Sequence, residues 1–212
     1  MALSSLNVIT LQNIKDIGPK TILKIGAYSE SKKIESTKQL YQILQDLKIK
    51  KGSITLDELF DAEDVAKSII SRSEKKGIGI VSYYDDEFPD ILRHCMNEDG
   101  KEDPPVVLYY KGDWSVTKMP GLAVIGTREM IKEGEPAGKY FAGEFAKRGF
   151  CIVSGLAVGC DTSGHRGALD AGGKTIAFLA HGLDTIYPPE NTDLAKEIVE
   201  KGGLLISEYP IG

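Results

Sequence analysis

The sequence predicts an α/β protein: a mostly parallel sheet flanked by helices, with a small helical domain at its N-terminus. Three observations predict this. Between residues 121 and 206, four apolar runs of about four or five residues alternate with segments of helical periodicity, the signature of parallel strands buried on both faces. Each of the four runs ends in small or polar residues. Before Gly77 the apolar residues recur at helical spacing, with no strand alternation.

In chain order, Leu3, Leu6, Leu11 and Ile14 mark the first helical segment, and Leu40, Ile43, Leu44 and Leu47 share one helix face. Thr55, with Glu58 three residues on, reads as the capped start of a helix carrying Leu56, Leu59, Phe60, Val65, Ile69 and Ile70. The character changes at Lys75-Lys76-Gly77. Ile78 to Val81 is a short strand, Asp85 to Pro89 a turn, Ile91-Leu92 a short helix, and Val106 to Tyr110 a second strand. The regular part follows. Leu122–Ile125 ends in Gly126-Thr127-Arg128, and Phe150–Val153 ends in Ser154-Gly155. Thr175–Leu179 ends in Ala180-His181-Gly182, and Gly203–Ile206 ends in Ser207-Glu208. Helices are expected at about Glu135–Arg148, with Tyr140, Phe141 and Phe145 facing inward, and at Asp161–Leu169 and Thr192–Glu200. We therefore place an N-terminal helical module at 1–74 and the sheet domain at 75–212. In a parallel sheet all strand C-termini share one edge, and ligands bind there.

The composition is that of an ordinary soluble chain, 42% hydrophobic and 27% charged. No apolar run approaches the ~18 residues that span a bilayer. The opening residues lack the basic and apolar regions of a signal peptide. Cys95, Cys151 and Cys160 are odd in number and lack metal-ligand spacing, which fits reduced thiols in a cytoplasm. The net charge of -5 weighs against a surface coated for nucleic acid. It hides a gradient: residues 1–51 carry a net of +5, residues 52–120 a net of -7, and residues 121–212 a net of -3. Only the N-terminal part attracts phosphate at long range.

The strand ends carry the candidate chemistry. In Gly126-Thr127-Arg128, glycine permits close backbone approach, the hydroxyl donates to a phosphate oxygen, and the guanidinium offers a planar cationic fork. In Ser154-Gly155-Leu156-Ala157-Val158-Gly159-Cys160-Asp161, the glycines free the loop to turn its N–H groups into an anion-binding nest ahead of a helix N-terminus. Asp161 is placed to cap that helix, and His165 lies one turn on along the same face. This is neither a dinucleotide fingerprint nor a Walker A loop. The glycine pattern follows the second strand rather than the first, and Gly172-Gly173-Lys174-Thr175 precedes a strand rather than opening a helix. No catalytic triad or metal spacing is evident, so no catalytic residue, metal or cofactor is expected.

Several motifs together resemble the bacterial DNA-processing protein A family (DprA, also called Smf). They are Ala123–Arg128, Ile152–Asp161, His165–Leu169, Gly182-Leu183-Asp184 with Tyr187-Pro188, and Leu205–Pro210. Upstream, Tyr84–Pro89 and Pro104–Asp113 also match. The resemblance covers about Gly77 to Gly212. It implies an extended Rossmann-like fold that binds single-stranded DNA in the cytoplasm without turning it over. The implied role is that of a recombination mediator assisting a RecA-type recombinase in DNA uptake and natural transformation, with a homodimer as its assembly. On that basis the DNA- or phosphate-binding residues are Gly126, Thr127, Arg128, Ser154, Gly155, Leu156, Ala157, Gly159, Asp161, His165, Gly182, Tyr187, Ser207 and Glu208. Ile14 to Thr21 resembles half of a helix-hairpin-helix, with Gly18 and Lys20 as its contacts. The family's Gly-Ser-Arg is Gly-Thr-Arg here, which keeps the hydroxyl. The family's domain also continues beyond a Ser-Glu-Tyr-Pro motif, so the domain is expected to be C-terminally incomplete in this chain, weakening the basic pocket and the dimer surface.

Two other readings stand beside this one. The acidic charge and the early stop favour a truncated scaffold without strong DNA binding. A nucleotide-binding or phosphoribohydrolase-like protein is the other, although its Pro-Gly-Gly-x-Gly-Thr loop is missing.

Overall fold

Ser4, Ser36 and Thr55 open three of the four N-terminal helices. Each turns its hydroxyl back to accept from the backbone N–H three residues on, at 3.2, 3.3 and 3.1 Å. In the computed structural model, which describes residues 3–29 and 34–212, these helices are α1 (Ser5–Gln12), α3 (Thr37–Asp46) and α4 (Leu56–Lys75). Between the first two lies α2 (Pro19–Ser29). The chain forms two compact units, residues 1–76 with 80–108 and residues 77–79 with 109–212.

In the first unit, strand β1 (Gly79–Ser82) from residue 80 onward and the short helix α5 (Asp90–Arg93) belong with α1–α4. The Asp85 carboxylate organises the turn between them, accepting from the backbone N–H and hydroxyl of Ser82 and from the Ser5 hydroxyl. Tyr84 lies over Gly26 and donates to the Ile22 carbonyl.

The chain passes into the second unit within β2 (Val107–Gly112) and continues with β3 (Gly121–Ala123), α6 (Gly134–Lys147), β4 (Cys151–Ser154), α7 (Cys160–Asp170), β5 (Thr175–Leu179), α8 (Thr192–Glu200) and β6 (Leu204–Ser207). The sheet order is β1-β2-β6-β5-β4-β3. Strands β3 to β6 run parallel, with Leu122 opposite Ile152, Val153 opposite Ile176, and Phe178 opposite Ile206. Strand β2 joins β6 antiparallel. The fold is thus a mostly parallel, Rossmann-like sheet flanked by helices, with a small helical domain before it. The four parallel strands deliver their C-termini to one edge.

Two sequence expectations are corrected. The run Leu122–Ile125 is not a strand buried on both faces. Strand β3 ends at Ala123 and Ile125 is 74% exposed, because β3 ends the sheet order and has a single neighbour. Nor do Tyr140, Phe141 and Phe145 face inward: the first two are 63% and 60% exposed. Helix α6 instead buries Ala142, Gly143 and Ala146, which pack with Ile152 and Ala168. The reason lies on the partner helix. A methyl group at Gly167 of α7 would sit 2.3 Å from the Lys139 carbonyl oxygen, so the two helix backbones are nearly in contact. Only small side chains fit between them, and the aromatics turn outward.

Candidate nucleic-acid interface

The edge is built loop by loop from the strand ends. Gly126, Thr127 and Arg128 leave β3 exposed to solvent. The Thr127 hydroxyl turns onto Glu129, donating to its carbonyl and accepting from its N–H. The Thr127 carbonyl accepts from the Cys160 N–H at 3.1 Å, joining this loop to the start of α7. Gly159 makes that junction possible. Its φ is +84°, and a Cβ there would lie 2.5 and 2.6 Å from the carbonyl oxygens of Thr127 and Arg128. Arg128 makes no ion pair among the described residues.

The loop after β4 is more ordered than its glycines suggest. Ser154 is buried and donates to the Val124 carbonyl at 2.6 Å, tying β4 to β3. Leu156 is buried in the left-handed region at φ +65°. The expected anion nest is occupied by the chain itself: the buried Asp161 carboxylate accepts from the N–H groups of Gly155 and Ala157 at 3.1 and 3.2 Å. Asp161 therefore does not cap α7, where Gly159 holds the cap position. It reaches backward because the loop curls over the first turn of the helix and brings its N–H groups within range.

The other candidate positions fall into three groups. Gly155, Ala157, Arg128 and Tyr187 line one cavity of about 190 Å³ at the edge, together with Val158, Leu179, Ala180, His181 and Pro188. Tyr187 is 68% exposed. Gly182 packs against the Pro210 carbonyl, and Glu208 is exposed just past β6. The second group is structural. The Ser207 hydroxyl is buried, donates to the His181 carbonyl at 2.8 Å, and accepts from the Tyr209 N–H.

The third group is a correction. His165 shares a helix face with Asp161 in the sequence, yet its ring is fully buried, with Nδ1 2.7 Å from the Thr175 hydroxyl at the opposite end of β5. Asp161 is drawn to the loop and His165 into the core, so His165 is not part of the edge. Its burial pushes its pKa down to about 4. Among the N-terminal candidates, Gly18 closes the turn between α1 and α2, where its carbonyl accepts from Thr21 and Ile22, and Lys20 is exposed in the first turn of α2.

Sequence reasoning missed His181, Leu179, Val158 and Pro188 as cavity walls. Their signal was their position, immediately at a strand end or beside Tyr187. It also missed Asn191, which is buried and whose Nδ2 donates to the Leu156 carbonyl at 2.7 Å. Its partner lies 35 positions away in the chain, a reach that no local pattern signals.

Residues 79–212 match the model of the family described as DNA recombination-mediator protein A. Among curated proteins, the chain is 43% identical over 113 residues to Protein Smf of Synechocystis, which covers 51% of this chain and 28% of that protein. It is 42% identical over 125 residues to the DNA processing protein DprA of Streptococcus pneumoniae, covering 58% and 43%. It is 32% identical over 143 residues to that of Bacillus subtilis, covering 67% and 46%. The chain thus spans less than half the length of these relatives. Among solved structures, that of S. pneumoniae DprA aligns with a TM-score of 0.75 at 28% identity, over 100% of this chain and 70% of that one. A structure of DNA processing protein A from Helicobacter pylori, described for its single-stranded DNA binding mode, aligns with a TM-score of 0.51 at 34% identity, over 62% and 55%. The residues that carry the edge lie inside the matched segment, and the chain belongs to the DNA recombination-mediator protein A family.

Proposed function

We propose that this chain binds single-stranded DNA at the C-terminal edge of β3–β6 and serves recombination, assisting a RecA-type recombinase during DNA uptake. One observation carries the reading: Arg128, without an ion pair among the described residues, shares a cavity with Tyr187 and an otherwise largely apolar wall of Ala157, Val158, Leu179 and Pro188. A guanidinium recognises phosphate through its planar fork. An exposed tyrosine supplies a stacking face worth roughly 1–3 kcal/mol per base. Because Asp161 occupies the N–H groups of Gly155 and Ala157, the loop offers a base a surface and leaves the phosphate to Arg128. The family relationship supports the same ligand class, the recombinase as partner, a second copy of the chain as an assembly partner, and a cytoplasmic setting. No helix among the described residues is long and apolar enough to cross a membrane.

The test is a salt titration of binding to a labelled oligothymidylate, followed by fluorescence anisotropy. The logarithm of the affinity is expected to fall with the logarithm of salt, by about 0.7 for each phosphate neutralised. Arg128→Ala is expected to weaken binding and reduce the slope by about one phosphate contact. No binding at low salt would overturn the proposal. Conversion of a nucleoside monophosphate to free base would favour the phosphoribohydrolase reading instead.

A further inference from the structure

Gly155, Ala157 and Val158 form one wall of the edge cavity, and Tyr187 and Pro188 form another. The two walls are more than 25 positions apart in sequence, and one residue connects them, by its side chain on one side and its backbone N–H on the other. Asn191, 5% exposed, immediately precedes α8. Asparagine is among the preferred helix caps, yet here it makes no side-chain cap. Its Nδ2 donates instead to the Leu156 carbonyl at 2.7 Å and to the Thr162 hydroxyl at 2.9 Å, so both amide hydrogens are committed. The Thr162 hydroxyl in turn donates to the Ala157 carbonyl at 2.8 Å. The Leu156 carbonyl is thereby fixed by Asn191 and the Ala157 carbonyl by Thr162, whose backbone N–H also donates to it at 3.2 Å. The left-handed backbone of Leu156 is unfavourable for a residue with a side chain. On the other side, the Asn191 N–H donates to the Pro188 carbonyl at 3.1 Å. Asn191 does not line the cavity.

We propose that Asn191, relayed through Thr162, is a positioning residue that sets the gap between the Tyr187–Pro188 wall and the 155–158 loop, and so the fit of a bound nucleotide. This rests on the single-stranded DNA reading of the cavity. Without the amide, the loop keeps its ties to Asp161 and Thr162 but loses its tie to the Pro188 side, and a base on Tyr187 loses the set distance to its opposing surface.

The experiment measures oligothymidylate binding and thermal midpoint for wild type, Arg128→Ala, Asn191→Ala, Asn191→Asp, Thr162→Val, Tyr187→Ala and the double variant Tyr187→Ala/Asn191→Ala. Asn191→Ala is expected to lower affinity about tenfold, the size of one well-aligned hydrogen bond. Asn191→Asp, which has no donor, loses at least as much. Thr162→Val keeps the side-chain shape and removes only the relay, and it is expected to lose a smaller part, about threefold. The decisive readout is coupling. If Asn191 acts through the wall, the double variant binds within about twofold of Tyr187→Ala alone. Wild-type affinity in Asn191→Ala and Thr162→Val overturns the positioning role while leaving the DNA reading intact, provided Arg128→Ala still weakens binding. Losses at Asn191 and Tyr187 that multiply also overturn it, since they mark a general loosening. Absence of binding by wild type at low salt overturns both.

Discussion

Replacing His165 with Asn isolates one buried ionisable group. The imidazole is fully buried, and Nδ1 lies 2.7 Å from the Thr175 hydroxyl. That hydroxyl already donates to the Ile152 carbonyl at 2.7 Å, so Nδ1 is the donor. Nε2 is buried with no hydrogen-bond partner among the described residues. A second proton would place a charge in the core, and burial pushes the pKa from 6.5 down to about 4. The unfolded chain therefore binds this proton first. The contribution to stability is complete above the unfolded value of 6.5 and is lost as the pH falls toward 4. By linkage the loss is about 2 kcal/mol at pH 5 and about 3 kcal/mol in total. Urea unfolding of wild type and His165→Asn from pH 7.5 to 4.5 measures it. Asn keeps a donor where Nδ1 stood and cannot titrate. The variant is expected to be less stable at neutral pH and to show a shallower acid loss, by about one proton at pH 5 to 6. Equal pH slopes in the two proteins would refute the burial argument.

Two further substitutions test backbone approach. Gly159→Ala puts a methyl group 2.5 Å from the Thr127 carbonyl oxygen in a conformation that disfavours side chains. It is expected to cost about 1–3 kcal/mol in urea unfolding and, by displacing Arg128, to weaken oligothymidylate binding; an unchanged midpoint would show that the junction yields freely. Gly167→Ala separates α6 from α7, with an expected loss of about 1–3 kcal/mol and little change in DNA affinity. Wild-type stability in that variant would mean that the helices tolerate sliding.

What was legible in the sequence was local. Ile176–Leu179 is apolar throughout and bounded by polar or small residues, so β5 is found where its pattern places it. Thr55 reads as a cap because the partner is only three residues away. The misreadings share a cause: each depends on what lies across the fold. The aromatics of α6 have core-like composition, but the near-contact with Gly167 decides which face is buried. Asp161 and His165 sit one turn apart and serve different ends of the sheet, because one meets a curled loop and the other meets Thr175. Ser154 and Ser207 look like ligand groups at strand ends, and both are spent on neighbouring carbonyls.

The Asp161 carboxylate has a consequence for selectivity among anions. Being tethered, it competes for the loop N–H groups at an effective concentration of millimolar or more. Free phosphate, sulfate or a small nucleotide at comparable levels finds that position already taken. The loop is in this sense self-inhibited toward small anions.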